Sequence, residues 1–362
     1  QTGEIKDFAK AFSNNQLMIT MLIGVHFLQL VALPQNEKIE PLPTGFKAFL
    51  RTYLWVHLFG SVINVSAVLL VADRCVKKAQ LSMNQLKLLI RAFTSAAHWS
   101  PFFAAFAAAL VFTPEASLHI VMGVGISMAI VAFFVTLFEV KSEKKELIKN
   151  FIGYPMHFDS LWLPASLVVL VGIAHTIFEN VSVLILIAVC SLLLSMAVLL
   201  VRNGPAKGGR DFIQHGKNSL PQMKNELLLF LIAGVFGSGL AAALDGLSIA
   251  IPFDYFDGEV ASVILLCMFL LAILGVHPVI SIAVVGHWIV NIEPNQTLLA
   301  IMFLMAWAVG VSASPLSGIN LALQGRYGAS GKKIFKWNIV YAIKLYLLDC
   351  LVLLAVSHWL GV

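Results

Sequence analysis

At 362 residues, 59% hydrophobic and 12% charged, with a mean hydropathy of +0.88, the chain is too apolar to bury its surface in a soluble core. Its apolar runs extend for about 20 residues, the length of a membrane-crossing helix, where barrel strands would alternate over about ten. The net charge of +5 sits in the loops, where it acts as a topology signal and not as an attractor for nucleic acid.

Taken in chain order, clear spans are predicted at 16–33, 117–139, 161–177, 181–201, 225–244 and 337–361. Trp162, Trp337 and Trp359 lie near span ends, as interfacial anchors do. Two apolar segments, 91–113 and 297–326, are interrupted by the chain's two Ser-Pro pairs, Ser100-Pro101 and Ser314-Pro315. A helix breaker at membrane depth is tolerated only where it is buried in protein or lines a cavity. Paired interruptions in two halves of a chain point to a transporter site. Two further apolar stretches, 46–73 and 259–291, have Gly60-Ser61 and Gly275-Val-His-Pro278 at their centres. Each suits a re-entrant hairpin, since an arm of about 14 residues reaches roughly 20 Å, to mid-membrane.

Loop charge supports the hairpins. With both stretches as hairpins, Arg74, Lys77, Lys78, Lys87 and Arg91 share one side with the basic loops 141–149, 202–224 and 326–336. Asp254, Asp257 and Glu293 fall on the other. The basic side is then cytoplasmic. The two hairpins enter from opposite sides, and Ser100 lies 40 positions beyond Gly60 while Ser314 lies 39 beyond Gly275. The expected fold is an all-α polytopic membrane protein built as an inverted repeat, each half with a re-entrant helical hairpin and a discontinuous transmembrane helix. Its boundaries fall at 1–139 for the first repeat, 140–224 for connecting spans and a cytoplasmic loop, and 225–362 for the core of the second. The segment Gln80 to Phe93 is amphipathic and is expected at the cytoplasmic interface.

Gly60-Ser-Val-Ile-Asn64, Ser100-Pro101, Gly275-Val-His-Pro-Val279 and Gly310-Val-Ser-Ala-Ser-Pro-Leu-Ser-Gly318 resemble pieces of the ion transporter superfamily. That group includes divalent anion–sodium symporters, large membrane subunits of TRAP transporters, and citrate and arsenite permeases. The resemblance covers most of the chain by layout and about 25 residues by motif. It implies an elevator carrier in which an amphipathic arm links a moving transport domain to a scaffold. The Ser-Asn-Thr tips of the dicarboxylate symporters are absent here, which removes the basis for a dicarboxylate assignment. Members of the superfamily usually place further spans before the first hairpin. The chain, starting at Gln1, is therefore expected either to lack about two N-terminal helices or to be a short member.

A broken helix exposes N–H groups that can hold an oxyanion and carbonyls that can hold a cation. The expected substrate- and ion-binding set is Gly60, Ser61, Asn64, His98, Ser100, Pro101, Gly275, His277, Pro278, Ser312, Ser314, Pro315, Ser317 and Asn320. The competing reading for each serine is a bond back to its own helix or packing between helices. For His98 and His277 it is an interhelical hydrogen bond. Asp349, central in its span, is either a proton or cation carrier or the buried partner of Lys344. Cys75, Cys190, Cys267 and Cys350 are widely spaced and read as buried, inert thiols, and no spacing suggests a transition-metal site or cofactor.

The function expected is secondary active transport of a small anion, an organic acid or oxyanion, coupled to Na⁺ or H⁺. The expected setting is a homodimer in the lipid bilayer of a bacterial inner membrane. A channel or a membrane subunit of a larger transport complex is the alternative. An intramembrane enzyme using His98, His277 and Asp349 is disfavoured, because these residues come from distant segments.

Overall fold

In hydrocarbon each backbone N–H and C=O must find its partner inside the protein, and the helix does this within one segment. The described elements are accordingly helices, joined by one β-bridge between Thr44 and Ile152. The computed structural model describes residues 5–32, 41–76, 80–142, 149–155, 162–247 and 252–362, without the side chains of 5–15, 241, 244 and 245. The basic residues Lys77, Lys78 and those within 143–148 lie outside the described residues.

The first half contains α1 (Ile5–His26), α2 (Gln29–Ala32), α3 (Phe46–Ile63), α4 (Val65–Val76), α5 (Met83–Ser95), α6 (Ala104–Phe112) and α7 (Leu118–Ser142). Then come α8 (Trp162–Ile177), α9 (Val183–Asn218), α10 (Lys224–Gly246), α11 (Gly258–Ile273), α12 (Pro278–Ile289), α13 (Gln296–Ala313), α14 (Gly318–Tyr327) and α15 (Gly331–Leu360). Caps fix several starts. Ser82 and Gln85 form a reciprocal capping box on α5, Asp257 Oδ1 accepts from Glu259 and Val260 on α11, and Asn295 Oδ1 accepts from Thr297 and Leu298 on α13. α9 is kinked where Gly204, at φ 74°, precedes Pro205. By length and composition, the stretches Leu118–Ser142, Val183–Leu240, Gln296–Tyr327 and Gly331–Leu360 are long and apolar enough to cross a membrane.

Contacts give the direction of the helices around the interruptions. α15 has 30 residues, about 45 Å at ~1.5 Å per residue, so its ends lie at opposite faces. Its start, at Trp337 and Asn338, meets Arg91 of α5. α3 also starts at this basic end, where Gly45 N–H donates to Phe151 O and Gln85 Nε2 donates to Ile152 O. α3 then runs alongside α5, because His57 reaches Ala92 and Ser95, and further on Ser100 Oγ donates to Ser61 O. α4 leaves Asn64 and ends back at the basic face, where Asp73 receives Arg326 and Tyr327. Gly258 N–H, starting α11, donates to Ser357 at the far end of α15, and Thr297, starting α13, meets Ser117.

α13 is the central post: every residue from Thr297 to Ala313 is buried. α5, α6, α7, α11, α12 and α15 all pack against it. The spans 117–139 and 337–361 pack against the interrupted helices as α7 and α15. Helices in lipid gain little from apolar burial and depend on close packing. Gly125 of α7 is such a point, since a Cβ there would collide with the carbonyl oxygen of His98. Two of the four thiols are buried, Cys75 and Cys190, while Cys267 is exposed and Cys350 half-buried, so the expectation of buried thiols holds for half of them. Trp162 and Trp359 are exposed near helix ends.

The amphipathic segment 80–93 corrects the expectation of an interfacial arm. Asn84 to Ser95 are all buried, and Arg91 is 0% exposed. Its guanidinium grips Glu139 through two N–H···O bonds of 3.0 Å, Asn338 Oδ1 at 3.0 Å and Trp337 O at 2.9 Å, and lies 4.4 Å over the Tyr341 ring. Lys87 reaches the same carboxylate at 3.1 Å. The polar side of α5 thus faces α7 and α15 and not water. Glu139→Gln removes the carboxylate that Arg91 and Lys87 share and should cost about 3–5 kcal/mol, read as a lower denaturation midpoint in detergent. Combining Arg91→Met with Glu139→Gln should cost less than the sum of the single changes.

Candidate functional site

The first interruption begins where α5 ends. A 3₁₀ turn, Ala96–His98, carries the chain to Ser100-Pro101, and α6 starts only at Ala104. Proline supplies no N–H, so the ladder stops here. Ser100 Oγ, fully buried, donates to Ser61 O at 2.6 Å and accepts from Phe102 N–H at 3.2 Å. Ser100 therefore pins the break to the turn that follows α3. Gly60 permits this, for a Cβ there would lie 3.0 Å from Phe93 Cδ2. Asn64 makes the turn itself at φ 54°, a left-handed conformation that asparagine tolerates better than most residues.

His57 belongs to this cluster, although its sequence position near the first tip was the only hint. Trp99 Nε1 donates to its Nε2 at 3.0 Å, so the proton sits on Nδ1, which donates to Ala92 O at 3.0 Å. The tautomer follows from the network because an indole nitrogen can only donate.

At the second interruption Ser314 adopts extended backbone at φ −63°, ψ 118°, and α14 restarts at Gly318. The carbonyls freed here are claimed by side chains. Ser317 Oγ donates to Val311 O at 2.9 Å, and Asn320 Nδ2 to Ser314 O at 2.8 Å and Val311 O at 3.3 Å. Gln324 Nε2 donates to Pro315 O at 2.6 Å. Ser312 bonds back to Val309 O, as an ordinary helical serine does. Asn320 Oδ1 is buried and has no hydrogen-bond partner among the described residues. Gln324 was not among the expected residues; its signal is an amide four positions after Asn320, on the same helical face.

The facing turn packs onto this break. Gly275 has φ 102°, and a Cβ there would lie 2.7 Å from Leu316 Cδ1. His277 caps α12 by accepting from Val279 N–H at 3.2 Å, with Pro278 in the first turn, and meets Trp307 edge-on at 5.2 Å. Gly310 of α13 faces Ala272 and Pro278.

Each turn is thus assembled with its own break. The halves meet where α13 packs on the 3₁₀ turn, and there His98 Nε2 stands 3.9 Å from Asp349 Oδ1. Both side chains are fully buried. Lys344, the partner expected for Asp349, is exposed on another face of α15, because five positions turn a helix well past one revolution. At the basic surface Asp73 accepts from Arg326 at 2.6 Å and from Tyr327 at 2.7 Å, tying α4 to α14. A cavity of about 910 Å³ opens toward the other face. Pro101, Phe102 and Phe106 border it deep in the protein, and the exposed side chains of Glu115, His119, His175 and Glu179 border it near that face.

These features define an integral membrane protein with a transporter-like fold. The YdaH transporter of Alcanivorax borkumensis, whose crystal structure revealed an unusual topology, shares it with a TM-score of 0.58 over 97% of this chain and 85% of that one. The two are 10% identical, so the likeness is one of fold. The sequence matches no family profile and no curated protein sequence. Asn320→Leu should leave Val311 O and Ser314 O with only the bonds from Ser317 and cost about 1 kcal/mol in unfolding measurements, without blocking membrane insertion.

Proposed function

We propose that the chain is a secondary active transporter that carries a small anion, an organic acid or oxyanion, together with Na⁺ or a proton, by an elevator-type movement. One observation carries this reading. α3 runs beside α5 from the basic face and α11 runs beside α13 from the opposite face, each leading to a turn packed on a Ser-Pro break. On this reading α3–α4 and α11–α12 are re-entrant hairpins of an inverted repeat, with the units 1–139 and 225–362 joined by 140–224.

The chemistry supports an anion held by backbone donors. The first N–H groups of α14 follow the second break, and a Cβ at Gly318 would meet no atom within 4 Å, so a ligand can approach the helix start. Gly60, Ser61, Asn64, Ser100, Gly275, His277, Ser314 and Ser317 line or brace the turns around such a ligand. The cavity reaching Pro101 and the Asp73–Arg326–Tyr327 ties at the basic face suit a state open to one side and shut to the other. By loop charge the shut side is the cytoplasm. A homodimer in a bacterial inner membrane belongs to the same proposal.

The test is uptake by purified protein in proteoliposomes, scanned over dicarboxylates, sulfonates, sialic-acid-like acids and oxyanions under Na⁺ or pH gradients. Saturable, gradient-driven uptake of one class is expected. Pro101→Ala and Pro315→Ala should each lower its rate by roughly tenfold, equivalent to about 1.4 kcal/mol in the barrier, while the protein still inserts. Absence of gradient-driven uptake, with no thermal stabilisation by any of these anions, sinks the carrier reading.

A further inference from the structure

Among the described residues, two fully buried side chains from opposite halves of the chain face each other with polar atoms that have no hydrogen-bond partner. His98 is 1% exposed and Asp349 0%. Nε2 of His98 and both carboxyl oxygens of Asp349 have no hydrogen-bond partner among the described residues, and Nε2 lies 3.9 Å from Oδ1. The other ring nitrogen is committed. Nδ1 is 3.1 Å from Ser95 O, and a carbonyl only accepts, so Nδ1 carries a proton and Nε2 is the ring atom free to gain or lose one.

We infer that His98 and Asp349 form a one-proton site and that this proton is the ion coupled to transport. The coupling role rests on the transport reading proposed above, whereas the proton site itself does not. With one proton the pair is neutral overall. The proton sits on Asp349 as a carboxylic acid facing a neutral imidazole. Alternatively the O–H bond breaks, its electron pair stays on the carboxylate, and the Nε2 lone pair takes the proton. Losing the proton leaves a bare carboxylate in the protein interior, and adding a second leaves a bare imidazolium. Both are strongly disfavoured there. In the conformation described, 3.9 Å is too long for an O–H···N bond, so the proton rests on Asp349.

The surroundings supply little that would compensate a charge. α3 brings His57 and Tyr53, α5 brings Arg91, and α15 itself brings Tyr341. Arg91 is occupied by Glu139 of α7, which Lys87 also holds. α14 brings Arg326 and Tyr327, both engaged with Asp73, and α11 brings Cys267, which is exposed. α6 and α13 carry no titratable side chain along their length.

A purely structural acid–imidazole pair would close to hydrogen-bond distance and satisfy its second oxygen. This one leaves three atoms open at the seam between halves, on the very turn that precedes the first break. Pro101 and Phe102, which border the cavity, follow His98 by three and four positions. Movement of the break can therefore join the pair to water, whereas in this conformation it is sealed.

The test uses the full chain in lipid nanodiscs, followed by infrared difference spectroscopy through pH steps, and in proteoliposomes under an imposed pH gradient. The wild type should show the carboxyl C=O band of a protonated buried acid at neutral pH. Asp349→Asn should abolish that band and gradient-driven accumulation, and His98→Gln should shift the band. Asp349→Glu should restore both band and accumulation in part, separating lost chemistry from lost folding. A wild type without the band, or a band that survives in Asp349→Asn, overturns the site. Accumulation under a pH gradient that persists in Asp349→Asn, or that needs Na⁺ and ignores pH, overturns the coupling role and leaves the carrier reading standing. A band lost in Asp349→Asn, in a protein that takes up no anion under any gradient, sustains the proton site and overturns both coupling and transport.

Discussion

A helix that stops inside a bilayer releases carbonyls that water cannot reach, and the architecture of both interruptions follows from where those carbonyls find partners. At the second break Ser317, Asn320 and Gln324, all on the restarting helix, return to Val311, Ser314 and Pro315. At the first, the bond crosses to another segment, from Ser100 to the carbonyl of Ser61. The local solution makes α13 and α14 one unit. The distant solution makes the turn after α3 and the break after α5 one unit. Backbone pairing thus decides which segments are held together, before any ligand is considered.

The same requirement limits what is left for binding. Most hydroxyls and amides at the breaks already serve the backbone, so their presence is not by itself a ligand shell. What remains open is sparse: Asn320 Oδ1, the start of α14 beside Gly318, and the facing atoms of His98 and Asp349. Charge is distributed just as economically. Near the basic face Arg91 and Lys87 share Glu139 in a fully bonded cluster that locks α5 to α7 and α15. Where His98 faces Asp349, Nε2 and both carboxyl oxygens have no hydrogen-bond partner among the described residues. One arrangement suits a rigid body and the other a place where protonation changes.

The fold likeness to the YdaH transporter extends over nearly the whole chain at 10% identity. Layout survives such divergence because it depends on where helices break and how closely glycines let them approach. Site chemistry does not, because a single side chain changes it. The substrate argument therefore rests on this chain's own residues.

The layout was largely legible in the chain itself. Hydropathy placed α7, α8 and α10 within a few residues and found α1 and α15 with shifted ends, and the Ser-Pro pairs marked the helix ends at Ser95 and Ala313. These signals are local: an apolar run or a proline acts on its own segment whatever the rest of the chain does. Partners were not legible. Lys344, the nearest cation in sequence, was one of two readings for Asp349, but α15 turns them to different faces and brings Asp349 to His98, 251 positions earlier. The basic stripe of α5 read as a water-facing surface, since amphipathicity shows that two faces differ and not what covers the polar one. Only the packing of α7 and α15 over Arg91 decided that. The sequence by itself determined where the helices lie and where they break. Tertiary structure alone decided which polar groups meet, because long-range contacts depend on helix rotation and crossing that no local pattern encodes.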